Sequence, residues 1–271
     1  MSDETGPDAE PRYFANTADP GSEAARLQFF EATYGPRDRA ALAAAGLAPA
    51  MRVLEIGPGA GGMLRWLSDT VGPSGAVVGI DLNPRFLGNV AGNVEIVHGD
   101  FTTAPVAGDF DIAYCRLVLM HLPDPLAGLA RIRELLRPGG SFVCSDLDML
   151  GHIACDRDHP SAAQFDAIRA GLAPALRTAG VMDLEFSRRL PALLSAAGFE
   201  TVSLSYETHA VTGGTAEADF WKRGADLSVE AGINGGTLGT DARALLPIHD
   251  DPTFAFLAPL VATAIARRPA G

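Results

Sequence analysis

Lysine is almost missing from this chain of 271 residues: Lys222 stands alone, and lysine plus arginine number 21 against 33 acids. The formal net charge is −12 and the pI is near 4.8, which argues against a general binder of nucleic-acid phosphates. With no basic stripe, the expected partner is a small molecule and not RNA or DNA. Cysteine is scarce too. Cys115, Cys144 and Cys155 are odd in number and lack C-x-x-C spacing, which argues against a disulfide framework and for a reducing compartment. Long apolar runs are absent. The longest uncharged, apolar-rich stretch, Phe254–Ala266, is too short for a membrane span and contains Pro259. Met1–Pro11 is acidic and polar, with neither the basic nor the apolar region of a secretory signal. The expectation is a cytoplasmic protein with no membrane contact.

Apolar residues make up 47% of the chain, enough for a sizeable core. The length suits one large α/β domain, or one domain with a cap. The chain is organised around Met51–Gly62, MRVLEIGPGAGG. Arg52–Ile56 reads as a short, mostly apolar strand. Gly57, Gly59, Gly61 and Gly62 make a loop nearly free of side chains, and Leu64, Trp66, Leu67 and Val71 follow in a helical pattern. Strand, glycine loop and helix together present backbone N–H groups to a nucleotide-like ligand. Two ligands fit. Gly57, Gly59 and Gly62 match G-x-G-x-x-G, with Asp81 about 20 residues on, as in a dinucleotide site. Glu55 discriminates, because a carboxylate repels a pyrophosphate but attracts an ammonium group. S-adenosylmethionine carries an ammonium and no phosphate.

Glu-Ile-Gly-Pro-Gly-Ala-Gly, residues 55–61, closely resembles the first motif of the class I S-adenosylmethionine-dependent methyltransferases. Further segments follow in that family's order. Ala76–Asp81 is a continuous apolar strand, as a strand buried on both faces should be. Asp81 stands at its carboxyl end, where it could accept from ribose hydroxyls or cap the helix starting near Pro84. Asn93–Val97 is a third strand. The Asp100-Phe101 pair after it resembles the adenine-binding position; the alternative is a turn made by Asp100 before Thr102 and Thr103. Phe110–Leu117 is a fourth strand running into Val118-Leu119-Met120-His121-Leu122-Pro123, which resembles the stretch passing the sulfonium and the acceptor. A helix from Pro125 to about Leu136 ends at Arg137-Pro138-Gly139-Gly140, also typical of the family, before a fifth strand, Ser141–Asp146. The cofactor contacts the resemblance implies are Glu55, Gly57, Gly59, Gly61, Asp81, Leu82, Asp100, Phe101 and Arg116.

The resemblance implies an α/β, Rossmann-like class I methyltransferase fold: a seven-stranded, mostly parallel sheet with an antiparallel last strand, helices on both faces, and helical cap elements. It is strongest over Leu42–Leu147. Residues 1–21 are expected to form a mobile arm, with Tyr13 and Phe14 either stray aromatics or part of a flap over the site. Residues 22–271 form a single domain, with an N-terminal helical cap at 22–46 and an inserted cap at 149–186. Gly35-Pro36 predicts two helices in the first cap. An inserted helix is expected around Ala162–Arg177, then Arg188–Ala197 as helix and Phe199–Thr208 as the sixth strand. Thr215–Leu246 reads as helix, glycine-rich loop, helix, and Thr253–Ile265 as the antiparallel strand or a helix.

The resemblance implies methyl transfer to an O, N or C atom of a small molecule, with the long cap pointing to a specialised metabolite. The sulfonium is already a good leaving group, so in-line alignment can supply much of the effect. A hydroxyl or acidic carbon acceptor also needs a base. His121 is the candidate by position, against a structural role as a cap or packing group. Asp146, near the end of the fifth strand, is the candidate for orienting the acceptor or acting as base, against a simple cap. His152, Cys155, Asp156 and His159 recur at metal-ligand steps, but Gly151 and Pro160 weaken a helix there and no metal is expected. A cyclase or hydroxylase on the same scaffold, a non-enzymatic binding module and an NAD-dependent oxidoreductase are the alternatives. The oligomeric state stays open, with a homodimer as one option.

Overall fold

The computed structural model describes residues 20–167, 169–170, 182–234, 236 and 238–271. The arm with Tyr13 and Phe14, and part of the inserted helix, lie outside the described residues. Seven strands form the main sheet: β1 (Arg52–Ile56), β2 (Ala76–Asp81), β3 (Val94–His98), β4 (Phe110–Arg116), β5 (Leu136–Asp148), β6 (Glu200–Glu207) and β9 (Leu260–Arg267). Their order is β3-β2-β1-β4-β5-β9-β6. β1 to β5 pair in parallel, and β9 runs antiparallel between β5 and β6. The central strands are apolar along their length because both faces are covered. One face packs under α1 (Pro20–Ala44) and α2 (Gly62–Val71), the other under α3 (Pro125–Leu135) and α4 (Phe186–Ala196). Strand order reverses between β1 and β4, and such a switch point opens a crevice at the carboxyl ends of the strands.

Two expectations are corrected. Gly35-Pro36 does not divide the N-terminal segment: α1 is one helix with Pro36 inside it. Interior proline normally costs a helix about 3 kcal/mol, and tertiary anchors offset that here. Phe30 and Tyr34 on one side of the proline and Asp38 and Leu42 on the other are all buried, and Arg39 pairs with Glu31 across it at 2.8 Å. Arg137-Pro138-Gly139-Gly140 falls within β5. Its pairing with β4 jumps from Phe110↔Leu136 to Ile112↔Ser141, so the tetrapeptide forms a bulge, where a sheet tolerates proline. Residues 152–159 form bends, turns and a bridge and not a helix, so the metal-like spacing shares no helical face. Among the described residues no group of three or more His, Cys, Asp or Glu could hold a metal.

The cap draws on more of the chain than its expected boundaries. Between β6 and β9 the chain leaves the sheet through β7 (Ala210–Thr212), α5 (Ala216–Asn234) and a 3-10 stretch (Thr240–Asp250), returning through β8 (Ala255–Leu257). β7 and β8 pair as a small antiparallel sheet. This excursion packs on the segment after β5, where Ala154 bridges Phe256 and residues 162–167 are helical. It also packs on α1: Phe29 stacks on Phe220 with centroids 3.6 Å apart, and Trp221 meets Phe29 edge-on at 6.3 Å. Such aromatic pairs add about 0.5–1.5 kcal/mol beyond area burial, so three separate segments close into one apolar cover.

Candidate active site

The glycine loop sits at the switch point with backbone only a glycine adopts readily. Gly57 and Gly59 have φ of 69° and 56°. A Cβ on Gly57 would lie 2.7 Å from Val118, and one on Gly59 would lie 3.1 Å from Leu27. The loop is thus pressed between the segment after β4 and helix α1, as expected of a helix preceding the first strand. A cleft of about 270 Å³ opens between α1 and the start of α2, lined by Glu31, Pro36, Ala60 and Gly62 among others.

Carboxylates surround this loop in contrasting states. Glu55 lies on β1, in register with Gly79 and Tyr114. It is 3% exposed and its Oε2 has no hydrogen-bond partner. Burial pushes its carboxyl up to about 8, with Arg116 opposing and Glu31, Asp81 and Asp38 adding to the rise. An orphaned acid beside a glycine cradle fits a ligand that brings its own ammonium, and repels a pyrophosphate. Asp81 stands at the end of β2. Its Oδ2 accepts from the Gly59 N–H at 3.1 Å and its Oδ1 from the Asn83 N–H at 2.7 Å. It therefore fixes the loop while each oxygen keeps lone-pair capacity for a hydroxyl. Leu82 next to it is 46% exposed.

Residues 29–204, more than half of the chain, match the family described as methyltransferase domain. The chain belongs to the S-adenosylmethionine-dependent methyltransferases. Among curated relatives, the ubiquinone biosynthesis O-methyltransferase of Aromatoleum aromaticum is 38% identical over 114 residues, spanning 38% of this chain and 47% of that protein. The matches span less than half the length of the first curated relatives. Among solved structures, a phosphoethanolamine N-methyltransferase of Haemonchus contortus with bound S-adenosylhomocysteine superposes with a TM-score of 0.55 at 16% identity, covering 96% of this chain and 60% of that one. The cyclase SpnF gives 0.51 at 17%, covering 87% and 81%. These two share the fold. The seven-stranded sheet with one antiparallel strand is the class I architecture, and S-adenosylmethionine is the cofactor of the family. The orphaned Glu55 and the cradle at Gly57 and Gly59 fit it.

Other expected site residues are engaged by contacts within the chain. Asp100 is exposed, and its Oδ1 accepts from the Thr102 N–H at 2.8 Å and its hydroxyl at 2.7 Å. That is the turn geometry weighed against adenine binding. The Phe101 ring is buried in the core, where it lies 3.4 Å from a Cβ built on Gly128 of α3. Arg116 is engaged by α1, at 3.1 Å from Asp38 and 2.9 Å from Glu31. His121 is half-buried in the 3-10 turn Leu119–His121. Asp146 is fully buried beneath that turn and accepts from the Leu119 N–H at 3.1 Å. Burial pushes Asp146 up to about 8, with backbone N–H groups opposing. Its Oδ2 holds the turn that carries His121, and its Oδ1 has no hydrogen-bond partner.

Sequence reasoning missed Asp38, the hub between α1 and the sheet. One of its oxygens accepts from Tyr114 at 2.7 Å and Arg116 at 3.1 Å, the other from Ser145 at 2.6 Å. A carboxylate on the same helical face as Tyr34 and Leu42 was the available signal.

Proposed function

We propose that this chain transfers the methyl group of S-adenosylmethionine to an O, N or C atom of a small molecule, a specialised metabolite. The observation that carries the reading is Glu55: a buried acid with an unsatisfied oxygen, on the strand leading into a glycine cradle. In this reading Gly57, Gly59 and Gly61 present backbone to the cofactor, Glu55 meets its ammonium or fixes the loop that does, and Asp81 takes the ribose hydroxyls. Asp100, the Phe101 backbone and Leu82 border the adenine. Arg116 acts by holding α1 across the loop. The acceptor enters beneath the cover formed by α1, the segment after β5 and the β6–β9 excursion. His121 is the base if the acceptor needs one, and Asp146 positions it.

The sulfonium provides the leaving group, so alignment of acceptor, methyl carbon and sulfur is the main task, worth on the order of 7–11 kcal/mol in favourable model systems. A cover of packed aromatic rings serves that task by excluding water and fixing the acceptor. Titration against S-adenosylmethionine, S-adenosylhomocysteine and NAD tests the cofactor, and NAD affinity equal to the others overturns the reading. Methyl-labelled cofactor then tests transfer. Cofactor binding together with conversion of an acceptor that gains no label would assign a cyclase- or hydroxylase-type reaction on the same scaffold.

A further inference from the structure

The cap holds a second set of buried polar groups, away from the glycine loop. Arg169 is 7% exposed, and its Nε and Nη2 have no hydrogen-bond partner. Those two nitrogens form one edge of the guanidinium, the edge that binds a carboxylate side-on through two parallel hydrogen bonds. The Phe165 ring lies 5.4 Å from its central carbon. Burial pulls Arg169 down to about 10, and no carboxylate among the described residues offsets it. His152 is also fully buried, and neither of its ring nitrogens reaches hydrogen-bond geometry, although the Leu257 backbone lies near enough to favour its proton. Desolvation, with Arg169 and His249 nearby, holds His152 well below its ordinary value, so the ring is neutral.

Apolar rings wall this cluster. His152 lies 5.3 Å from Phe165, 5.5 Å from Trp221 and 4.8 Å from Phe256. Trp221 in turn touches Phe29 and Phe30 of α1, two residues or so beyond the Leu27 that covers Gly59. The segment bearing His152 begins at the carboxyl end of β5, the side of the sheet on which ligands bind. A buried guanidinium with no counter-charge costs several kcal/mol, and a protein that keeps one gains from an anion that completes it.

We propose that Arg169 and His152 form the acceptor-binding subsite and that the acceptor is a carboxylate on an aromatic or apolar body. Arg169 takes both carboxylate oxygens along its Nε–Nη2 edge, His152 adds one neutral hydrogen bond, and Phe165, Trp221 and Phe256 pack the body. A carboxylate suits the one bidentate edge on offer. The proposal names the substrate class of the methyl-transfer reading and rests on it.

The test measures matched acids and amides: benzoate, 4-hydroxybenzoate and indole-3-acetate against their carboxamides, by calorimetry, with and without S-adenosylhomocysteine. At least one acid should bind tenfold or more tightly than its amide. Arg169→Met should abolish that preference, and Arg169→Lys should keep part of it. Without ligand, Arg169→Met should melt no lower than the wild type, since it removes an unpaired charge. Should Arg169→Met fail to fold, Arg169→Gln serves as the neutral variant. The proposal is overturned if no acid outbinds its amide, if the preference survives in the neutral variant, or if the folded neutral variant melts much lower and no acid stabilises the wild type. Absence of S-adenosylhomocysteine binding would instead sink the methyl-transfer reading, while the acid preference measured without cofactor still decides the anion site.

Discussion

Asp38 on α1 and Arg169 in the cap are both charged, both helical and both shut from water. Around Asp38 the chain supplies a tyrosine hydroxyl, a guanidinium and a serine hydroxyl, so both oxygens are engaged. Around Arg169 it supplies one aromatic face and leaves two nitrogens without partners. Burial is the same and satisfaction differs. Since buried polar groups are hydrogen-bonded as a rule, the satisfied hub reads as framework and the unsatisfied one as a place prepared for something else. Glu55 belongs with Arg169 by this criterion, and Asp146 stands between the two, with its Oδ2 accepting from the Leu119 N–H and its Oδ1 without a partner.

The comparison is tested most severely at Asp38. Asp38→Asn should cost about 3–5 kcal/mol of stability, because it breaks a pair whose carboxylate is fully buried and leaves the half-buried Arg116 with Glu31 alone. Urea unfolding measures this, and a loss below about 1 kcal/mol would show that the hub does not hold α1 to the sheet. His121→Ala is expected to lower turnover by roughly 10²–10⁴-fold with cofactor affinity nearly intact, if His121 takes a proton from the acceptor. Modest, parallel losses in binding and rate would reduce it to packing beside the cofactor. Asp81→Ala should weaken cofactor binding by about tenfold or more, since charge-assisted hydrogen bonds are worth roughly 1.5–3 kcal/mol each. Unchanged affinity in a folded variant removes Asp81 from the ribose.

The smallest effect is a slope. Glu55 and Asp146 both titrate near 8 in the fold, against ordinary values of 4.5 and 3.8. Between those limits the folded chain holds protons that the unfolded chain has lost. Their contribution is therefore full below the ordinary values and is lost as pH rises toward 8, by at most about 1.4 kcal/mol per pH unit for each group. Glu55→Gln should flatten this decline in the ligand-free protein. Cofactor affinity should rise between pH 6 and 8 in the wild type, as Glu55 ionises to meet the ammonium, and should not rise in Glu55→Gln. A parallel rise in both proteins would separate Glu55 from the cofactor's charge.

The strands, the glycine loop and Asp81 were legible because their signals are local. An apolar run ending in Gly57 and Gly59 specifies a turn whatever surrounds it, and the antiparallel strand was recognised as one of two readings of Thr253–Ile265. The single helix through Pro36 was not legible, because the compensating contacts of Tyr34, Asp38 and Leu42 come from residues far away in the chain. The placement of the Phe101 ring was not legible for the same reason: that it lies against α3 is decided by packing, not by spacing. The metal-like histidine spacing was set aside because Gly151 and Pro160 weaken a helix there, and the segment is indeed not helical. His152 proved informative, not through Cys155 and His159, but through Arg169 and Trp221, which no local pattern joins to it.

The excursion between β6 and β9 has one more consequence. Its two ends are neighbours: Glu207 and Val261 sit opposite each other in the sheet, and Ala210 pairs with Leu257 just outside it. An insertion whose ends already meet can be lengthened, shortened or exchanged with little change in closure entropy, about 0.6 kcal/mol for each doubling of length. The catalytic sheet would not need to shift. In lineages that keep this scaffold, the part of the cover that carries Trp221 and Phe256 can then be exchanged at one pair of hydrogen-bonded residues, while His152 and Arg169 stay behind on the segment after β5. Chimaeras joined at 208–209 and 258–259 are the natural way to recombine such domains.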